Sequence, residues 1–185
     1  MSAQNFMKIT PSPFGPFVIL WTPEPDTRII RVILSDPETA ASEKVLLLFP
    51  GTHESTCRNV DRIAGQIQSC LEGSAISFNL DTIPLERRPP FQRRVLTAEH
   101  RIPCGYISTY GRIAGYLKNP GAARAVGNAL ATNPFPIIIP CHRAVRSDLT
   151  IGGFQGGTAM KRRLLEMEGH VVNESGRMVN PKLFY

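Results

Sequence analysis

The sequence predicts an α+β protein built in two parts, and three observations predict it. Strand-type apolar runs punctuated by turns fill the first 80 residues. Helical spacing dominates beyond position 90. Between them, "PLERRPP" (84–90) interrupts, because Pro89 and Pro90 break any element running into them. The expected boundaries are 1–85 for a small N-terminal α/β unit, 86–170 for a mostly helical unit, and 171–185 for an irregular tail. A chain of 185 residues is long enough for two small domains of this kind.

In the first part, "PFVILW" (16–21), "RIIRVIL" (28–34) and "VLLLF" (45–49) read as strands separated by Pro- and Asp-rich turns. "CRNVDRIAGQIQSCLEG" then sets Val60, Ile63, Ala64, Ile67, Cys70 and Leu71 at helical spacing, with Gly73 as a stop. Cys70 belongs to that apolar stripe and reads as core, and Cys57 as packing at the helix start. "AISFNL" (75–80) offers a further strand.

In the second part a helix starts at Phe91, with Phe91 and Val95 on one face. "STYGRIAGYL" reads as a short helix capped by Ser108 or Thr109, "KNPGA" as a turn, and "AARAVGNALAT" as an alanine-rich helix. This is the layout of a helix-turn-helix unit, and equally of an ordinary pair of antiparallel helices. "NPFPIIIP" alternates proline with branched residues and is expected to be extended and buried. "TAMKRRLLEMEG" (158–169) predicts a last helix, with Thr158 as cap, Gly169 as stop, and Met160, Leu164 and Met167 facing a core.

Hydrophobic residues at 42% and charged residues at 19% fit a soluble globular chain. No apolar run reaches the roughly 18 residues of a membrane span, and "MSAQNFMKIT" lacks a secretory pattern, so an intracellular protein is expected. The four cysteines form no CxxC pair, which argues for free thiols in a reducing compartment. With His53, Cys57 and Cys70 as the only plausible ligands of the first part, neither a metal nor another cofactor is expected.

The net charge of +6 is unevenly spread. From Glu86 to Arg146, ten basic residues face only Glu86 and Glu99, so this segment carries +8 and the remainder −2. Either the second part meets a polyanion or it presents a solvated basic face.

"IPC" occurs twice, in "IPCG" (102–105) and "IPCH" (139–142). A thiol attacks as its thiolate, and an ordinary cysteine is only a few per cent ionised at neutral pH. Cys104 has Gly105 and Tyr106 beside it and no acid or base, so it reads as a free packing thiol. Cys141 is followed by His142 and Arg143 and preceded by a segment stiffened by Pro134, Pro136 and Pro140. Holding a nucleophile rigid favours reaction by orientation. Neighbouring Cys and His side chains rarely point the same way, so a proton relay through one water fits better than a direct pair. The relay needs a carboxylate on the imidazole, and Glu166 or Glu168 is in reach.

"NPFPIIIPCHRAV" resembles the active-site signature of the O6-alkylguanine-DNA alkyltransferases, also called methylated-DNA–protein-cysteine methyltransferases. "IPCGYISTYGRIAGYLKNPGAARAVGNAL" resembles the family's helix-turn-helix, and "GGFQGGTAMKRRLLEMEG" its closing segment, at matching spacings. The resemblance covers roughly positions 91–169; before that it rests on "SPFGPF" and the strand order.

The resemblance implies a ribonuclease H-like first domain, no cofactor, and a cytoplasmic monomer (nuclear in a eukaryote) acting on double-stranded DNA that contains O6-alkylguanine. Cys141 would take the alkyl group in one irreversible step, His142 would draw the thiol proton through a water, and Glu168 would orient the ring. Tyr110 matches a donor to N3 of the base, Lys161 a lysine near the thiol and O6, and Asn133 a brace of the active-site backbone. The carbonyls around Cys141 and Ala144 would accept from the exocyclic amine of guanine, with Gln155 and Gly156 also lining the pocket. Arg124 matches the finger that replaces the flipped base. Ala122, Ala123, Ala125 and Gly127 would let its helix approach the minor groove, which carries little sequence information. Arg143 either joins the DNA contacts or braces the fold.

Two positions depart from the family pattern: Leu149 stands where a turn glycine is usual, and Gln155 where a small residue often lies near O6. Two rival readings stand beside alkyl transfer. A DNA binder without chemistry, either a regulator or an alkylation-damage binder, fits the helix-turn-helix, but such damage binders lack the Cys141 equivalent. A cysteine hydrolase would draw its Cys and His from distant parts of the chain.

Overall fold

The computed structural model describes residues 5–23 and 27–185. It divides into two compact units, Met1–Leu85 with Pro134–Pro136, and Glu86–Asn133 with Ile137–Tyr185. Among the described residues no helix is long and apolar enough to cross a membrane.

The first unit is a four-stranded sheet carrying two helices. β1 (Phe6–Thr10), β2 (Phe17–Thr22) and β3 (Arg28–Leu34) form an antiparallel meander, and the two-residue β4 (His53–Glu54) adds in parallel to β1, giving the order β3-β2-β1-β4. β2 pairs on both sides and is buried along its whole length, which is why its sequence is continuously apolar rather than alternating. The turn expected between β2 and β3 falls largely on 24–26, outside the described residues. Met7 and Ile9 of β1 pack on the cluster formed by Val18, Leu20, Ile33, Ala41 and Val45. The backbone N–H of Val32 donates to Pro134 O at 2.8 Å, tying the Pro134–Pro136 segment to β3.

Two strand expectations fail here. The run 45–49 closes a helix, α1 (Ala41–Leu48), rather than forming a strand. A short apolar run has no periodicity that separates the two states, and "ASEK" ahead of it supplies good helix formers. Only Ala41 and Val45, four apart, are buried; Leu46, Leu47 and Leu48 are exposed. "AISFNL" is irregular and ends in a 3-10 turn (Leu80–Thr82), where the Asn79 side chain accepts from Asp81 N. The helix over the second apolar stripe forms as expected, as α2 (Arg58–Leu71), burying Val60, Ile63, Ala64, Ile67 and Leu71. Cys70 lies at the edge of that face and is only half-buried.

The second unit begins with α3 (Pro90–His100), which places proline at the first helical position, where its missing N–H is not needed. β5 (Ser108–Thr109) leads into α4 (Tyr110–Tyr116), and Thr109 caps that helix by accepting from Arg112 N at 3.2 Å. Past α4, Lys118 takes φ +57°, and the bonds Lys118 N to Gly115 O and Asn119 N to Ala114 O close the helix. A 3-10 turn (Pro120–Ala122) then enters α5 (Ala123–Ala131).

β6 (Ala144–Val145) pairs in parallel with β5, Ser108 beside Ala144 and Thr109 beside Val145. These two rungs set Tyr110 and the Cys141–Ala144 segment side by side, although 30 residues separate them in sequence. The last helix, α6 (Gly157–Met167), starts one residue before the expected cap. Gly156 is the cap, Gly157 has φ +87°, and Thr158 lies inside the first turn. Its end is as expected: Gly169 N bonds Glu166 O and His170 N bonds Leu165 O.

Two further expectations change. The tail is ordered: β7 (Val171–Val172) and β8 (Met178–Val179) form a hairpin, and Ile107 exchanges backbone bonds with Lys182 and Phe184. The 134–140 segment is buried, yet it turns instead of running extended. Ile137 sits at φ +71°, a conformation that costs a branched residue on the order of 1–3 kcal/mol. Prolines restrict themselves and the residue before them, which leaves Ile137 and Ile138 free to bend.

Candidate active site

The chemistry gathers at the 3-10 turn Cys141–Arg143, entered from Pro140 and closed by bonds from Cys141 N to Ile139 O and from Arg143 N to Pro140 O, both 2.8 Å. Asn133, the last residue before the Pro134–Pro136 segment, reaches this turn with one amide group. Its Nδ2 donates to Ile139 O at 3.2 Å and to Cys141 Sγ at 3.3 Å.

Cys141 is half-buried. Burial pushes its thiol up to about 11, the Asn133 bond and Lys161 pull it back down, and Glu99 pushes it further up. The sulfur therefore rests as a thiol, so its proton must leave as it reacts.

His142 turns its Nε2 edge to Glu168. Its Nε2 lies 3.0 Å from Glu168 Oε1, its ring meets Phe154 edge-on at 6.2 Å, and its Nδ1 is buried without a partner among the described residues. Burial lowers the affinity of the ring for a second proton, while Glu168 raises it. Glu168 caps α6. Burial opposes its charge, but His142 and Arg143 outweigh that and hold its carboxyl down at about 2. An ionised Glu168 takes the Nε2 proton as its hydrogen bond, which leaves Nδ1 with a bare lone pair.

Arg143 is spent inside the unit. Nε lies 3.0 and 2.9 Å from the two Glu168 oxygens, Nη2 lies 2.7 Å from Oε1, and Nη1 donates to Ile102 O at 2.7 Å. These bonds fit the brace, one of the two roles left open for it from sequence. Of the two carboxylates open from sequence, Glu168 holds the imidazole, while Glu166 pairs with Arg162 and Arg163.

Lys161 is fully buried. Nζ donates to Ala144 O at 2.6 Å and to Gly153 O at 3.4 Å, and burial lowers its ammonium to about 8. The Ala144 carbonyl expected to meet a base thus already takes one bond, with a second lone pair left. Tyr110 heads α4, and burial raises its phenol above the ordinary value. A Cβ on Gly152, at φ +66°, would lie 3.2 Å from the Tyr110 hydroxyl and 3.7 Å from Arg146 Cγ. Gly127 of α5 lies against the Tyr110 ring, 3.9 Å from where its Cβ would be. Gly156 is buried and Gln155 half-buried at the start of α6.

Arg124 and Ala125 are exposed in the first turn of α5, with Ala122 and Ala123 half-buried behind them. Cys104 is exposed, and burial followed by the nearby Glu168 raises its thiol. Leu149, where a turn glycine was expected, adopts the glycine-like φ of +68° and packs on the Ile107, Val145 and Leu165 cluster.

One buried acid was missed. Glu99 of α3 is fully buried, and neither carboxyl oxygen has a hydrogen-bond partner among the described residues. The signal was in the sequence: Glu99 stands four after Val95 and three before Ile102, on the apolar face of the helix.

The 6-O-methylguanine DNA methyltransferase DNA-binding domain model matches residues 90–170. The methylated-DNA–protein-cysteine methyltransferase of Methanothermobacter thermautotrophicus is 41% identical over 110 residues, 60% of this chain and 61% of that protein. The constitutive methylated-DNA–protein-cysteine methyltransferase of Bacillus subtilis is 31% identical over 166 residues, 89% of this chain and 95% of the relative. Other matches are shorter, as with 48% of the Salmonella typhimurium relative, so the match spans about half to three fifths of several curated relatives. The crystal structure of the Mycobacterium tuberculosis O6-methylguanine methyltransferase superposes with a TM-score of 0.71 at 30% identity, covering 89% of this chain and 93% of that one. The Mycobacterium tuberculosis protein in complex with DNA gives 0.68.

Proposed function

The chain belongs to the methylated-DNA–protein-cysteine methyltransferase family, and on that premise we propose that it repairs O6-alkylguanine in duplex DNA by moving the alkyl group to Cys141, once per molecule. The observation that carries this reading is the unpartnered Nδ1 of His142. A buried nitrogen with a free lone pair, one residue from a sulfur that rests as a thiol, fits a water that passes the thiol proton to the ring.

In this reading the S–H bond breaks as the sulfur attacks the alkyl carbon. The thiol proton passes through water to His142 Nδ1, and the imidazolium is stabilised by Glu168, itself locked by Arg143. The C–O6 bond breaks and its electron pair leaves with guanine. Tyr110 transfers its phenolic proton to N3 of the purine, so the base departs neutral while the Lys161 ammonium offsets charge near O6, and the proton held by His142 returns to the Tyr110 phenolate through water. The product thioether has no ionisable proton and is a poor leaving group, which makes the transfer irreversible. Asn133 holds both the sulfur and the carbonyl of Ile139, so the nucleophile is oriented before the base arrives.

We read α4 and α5 as a helix-turn-helix laid in the minor groove. Arg124 fills the gap left by the flipped base, and Ala122, Ala123, Ala125 and Gly127 allow close approach. Flipping takes a few kcal/mol, which Arg124 offsets by stacking in the duplex. The +8 segment then holds phosphates without regard to sequence. A DNA complex of the Mycobacterium tuberculosis relative supports the partner. The meander, helix and parallel β4 of the first unit support a ribonuclease H-like fold, and we expect a monomer in a reducing compartment, where its cysteines stay free.

The test is the mass of the Cys141 peptide after incubation with duplex DNA carrying O6-methylguanine. One added methyl group, with substrate consumed in proportion to protein, is the expected result. An intact lesion and an unmodified Cys141 would leave a DNA binder without chemistry, and repeated turnover would point to a hydrolase.

A further inference from the structure

We propose that Arg146 is a positioning residue that acts through Tyr110: its guanidinium stabilises the phenolate that Tyr110 becomes once its proton has passed to N3 of the leaving purine. The inference rests on the proposed function, in which that proton transfer lets the base depart neutral.

The backbone brings the two side chains together. The rungs Ser108–Ala144 and Thr109–Val145 of the β5–β6 pairing end immediately before Tyr110 on one strand and Arg146 on the other, so these residues are the next positions of two neighbouring parallel strands. Gly152 leaves a space beside both. The point where its Cβ would lie has the Tyr110 hydroxyl at 3.2 Å and Cγ and Nε of Arg146 at 3.7 and 3.8 Å. These distances hold Nε within roughly 7 Å of the hydroxyl, a range at which a unit charge is felt in a half-buried site. The loop that carries Arg146 is itself fixed. Arg146 N donates to Thr150 O at 3.0 Å, Leu149 N donates to Arg146 O at 2.9 Å, and Leu149 packs on the Ile107, Val145 and Leu165 cluster. Ser147 Oγ lies 3.5 Å from where a Cβ on Gly111 would be, so the same loop also rests on the first turn of α4.

The charges around Tyr110 agree with this. Burial most opposes a phenolate there, Glu99 of α3 and Cys141 of the turn oppose it further, and Arg146 favours it. Arg112 of α4 and Arg124 of α5 are not among the groups that act on Tyr110. Lys161 of α6 also faces Arg146, but its ammonium is bonded to the carbonyls of Ala144 and Gly153. Arg146 is exposed, and its side chain makes no hydrogen bond or ion pair among the described residues, so its charge is uncommitted. Asp148 of the same loop feels that charge, yet its Oδ1 accepts from Thr150 N and Oγ1. A guanidinium stays charged wherever the protein is folded, so the cation is in place at every turnover pH. The proton balance closes without it: N3 gains a proton, Tyr110 loses one, and the phenolate recovers one from His142 through water. Arg146 exchanges no proton and lowers the energy of the state in between.

The experiment measures single-turnover alkylation of Cys141 by free O6-benzylguanine, which carries no phosphate, in wild type, Arg146→Gln and Arg146→Lys, with duplex DNA carrying O6-methylguanine in parallel. Arg146→Gln is expected to slow reaction with the free base about fivefold, and Arg146→Lys to keep the rate within about twofold of wild type. The loss should shrink below about twofold in a Tyr110→Phe background, and with O6-benzyl-3-deazaguanine, which has a carbon in place of N3. An unchanged rate in Arg146→Gln overturns the proposal. So does an undiminished loss with Tyr110→Phe or with the deaza substrate, the mark of a structural role. A loss confined to duplex DNA overturns it too, and would make Arg146 a phosphate contact. Failure of wild type to alkylate Cys141 with either substrate would remove the proposed function and this inference with it. Normal wild-type transfer with no effect of Arg146→Gln would remove the inference alone.

Discussion

Asn133 Nδ2 lies 3.3 Å from Cys141 Sγ and 3.2 Å from Ile139 O, so a single amide group fixes both the nucleophile and the turn that carries it. Asn133→Ala removes a donor that favours the thiolate and takes from the Ile139 carbonyl one of its two hydrogen bonds, leaving the one from Cys141 N. A hydrogen bond to a charged group is worth about 1.5–3 kcal/mol, so alkylation of Cys141 is expected to slow by roughly ten- to a hundredfold. Single-turnover rates with free O6-benzylguanine measure this. A rate within twofold of wild type would remove the orienting role.

Glu168 ties His142 to Arg143, and its carboxyl is held at about 2 against an ordinary 4.5. A depressed carboxylate adds stability that is present above its unfolded value and is lost as pH falls through the folded one. The window thus runs from about 4.5 down to about 2, with on the order of 3 kcal/mol at stake. Glu168→Gln should abolish that acid limb and lower stability at neutral pH by about 3–5 kcal/mol, because it leaves Arg143 buried and unpaired. Urea unfolding across pH tests both. An acid limb that survives in the variant would assign it to another group.

Glu99 acts with the opposite sign. Its folded value of about 8 lies above 4.5, so its contribution is fully present below about 4.5 and is lost as pH rises through 8. Glu99→Gln is expected to flatten the decline in stability between these limits. Thermal melts at several pH values decide it, and parallel curves for the two proteins would contradict the assignment.

Gly152 holds φ +66° beside Tyr110. Gly152→Ala forces a strained backbone, costing about 1 kcal/mol, and puts a methyl 3.2 Å from the Tyr110 hydroxyl. Transfer should slow by more than the stability loss explains, since Tyr110 must move. An equal rate in the variant, measured well below its melting temperature, would separate Tyr110 from the chemistry.

Arg124 is exposed, so Arg124→Ala should leave stability within about 0.5 kcal/mol. Transfer from duplex DNA is expected to fall far more than transfer from free O6-benzylguanine. Equal slowing on both substrates would argue against a role in holding the flipped base.

Some of the structure was legible residue by residue. The apolar stripe from Val60 to Leu71, the cap at Thr109 and the stop at Gly169 each depend on near neighbours, and each formed where its local chemistry predicts. The run at 45–49 was misread because five apolar residues in a row carry no period, and β1 went unread because most of its side chains are only half-buried. The bend at Ile137 was invisible, since the strain it holds is sustained only by surrounding packing.

The sequence by itself determined the reacting atom and its immediate neighbours. A cysteine, a histidine and an arginine in consecutive positions after a stiff, proline-bounded segment already imply a nucleophile with a base beside it. Only the tertiary structure decided which carboxylate serves which cation. The parallel pairing of β5 with β6 and the packing of α3 and of α6 against the Cys141–Arg143 turn bring together groups far apart in the chain. Removed from water, these charges must find partners at short range. That requirement joined Arg143 to Glu168.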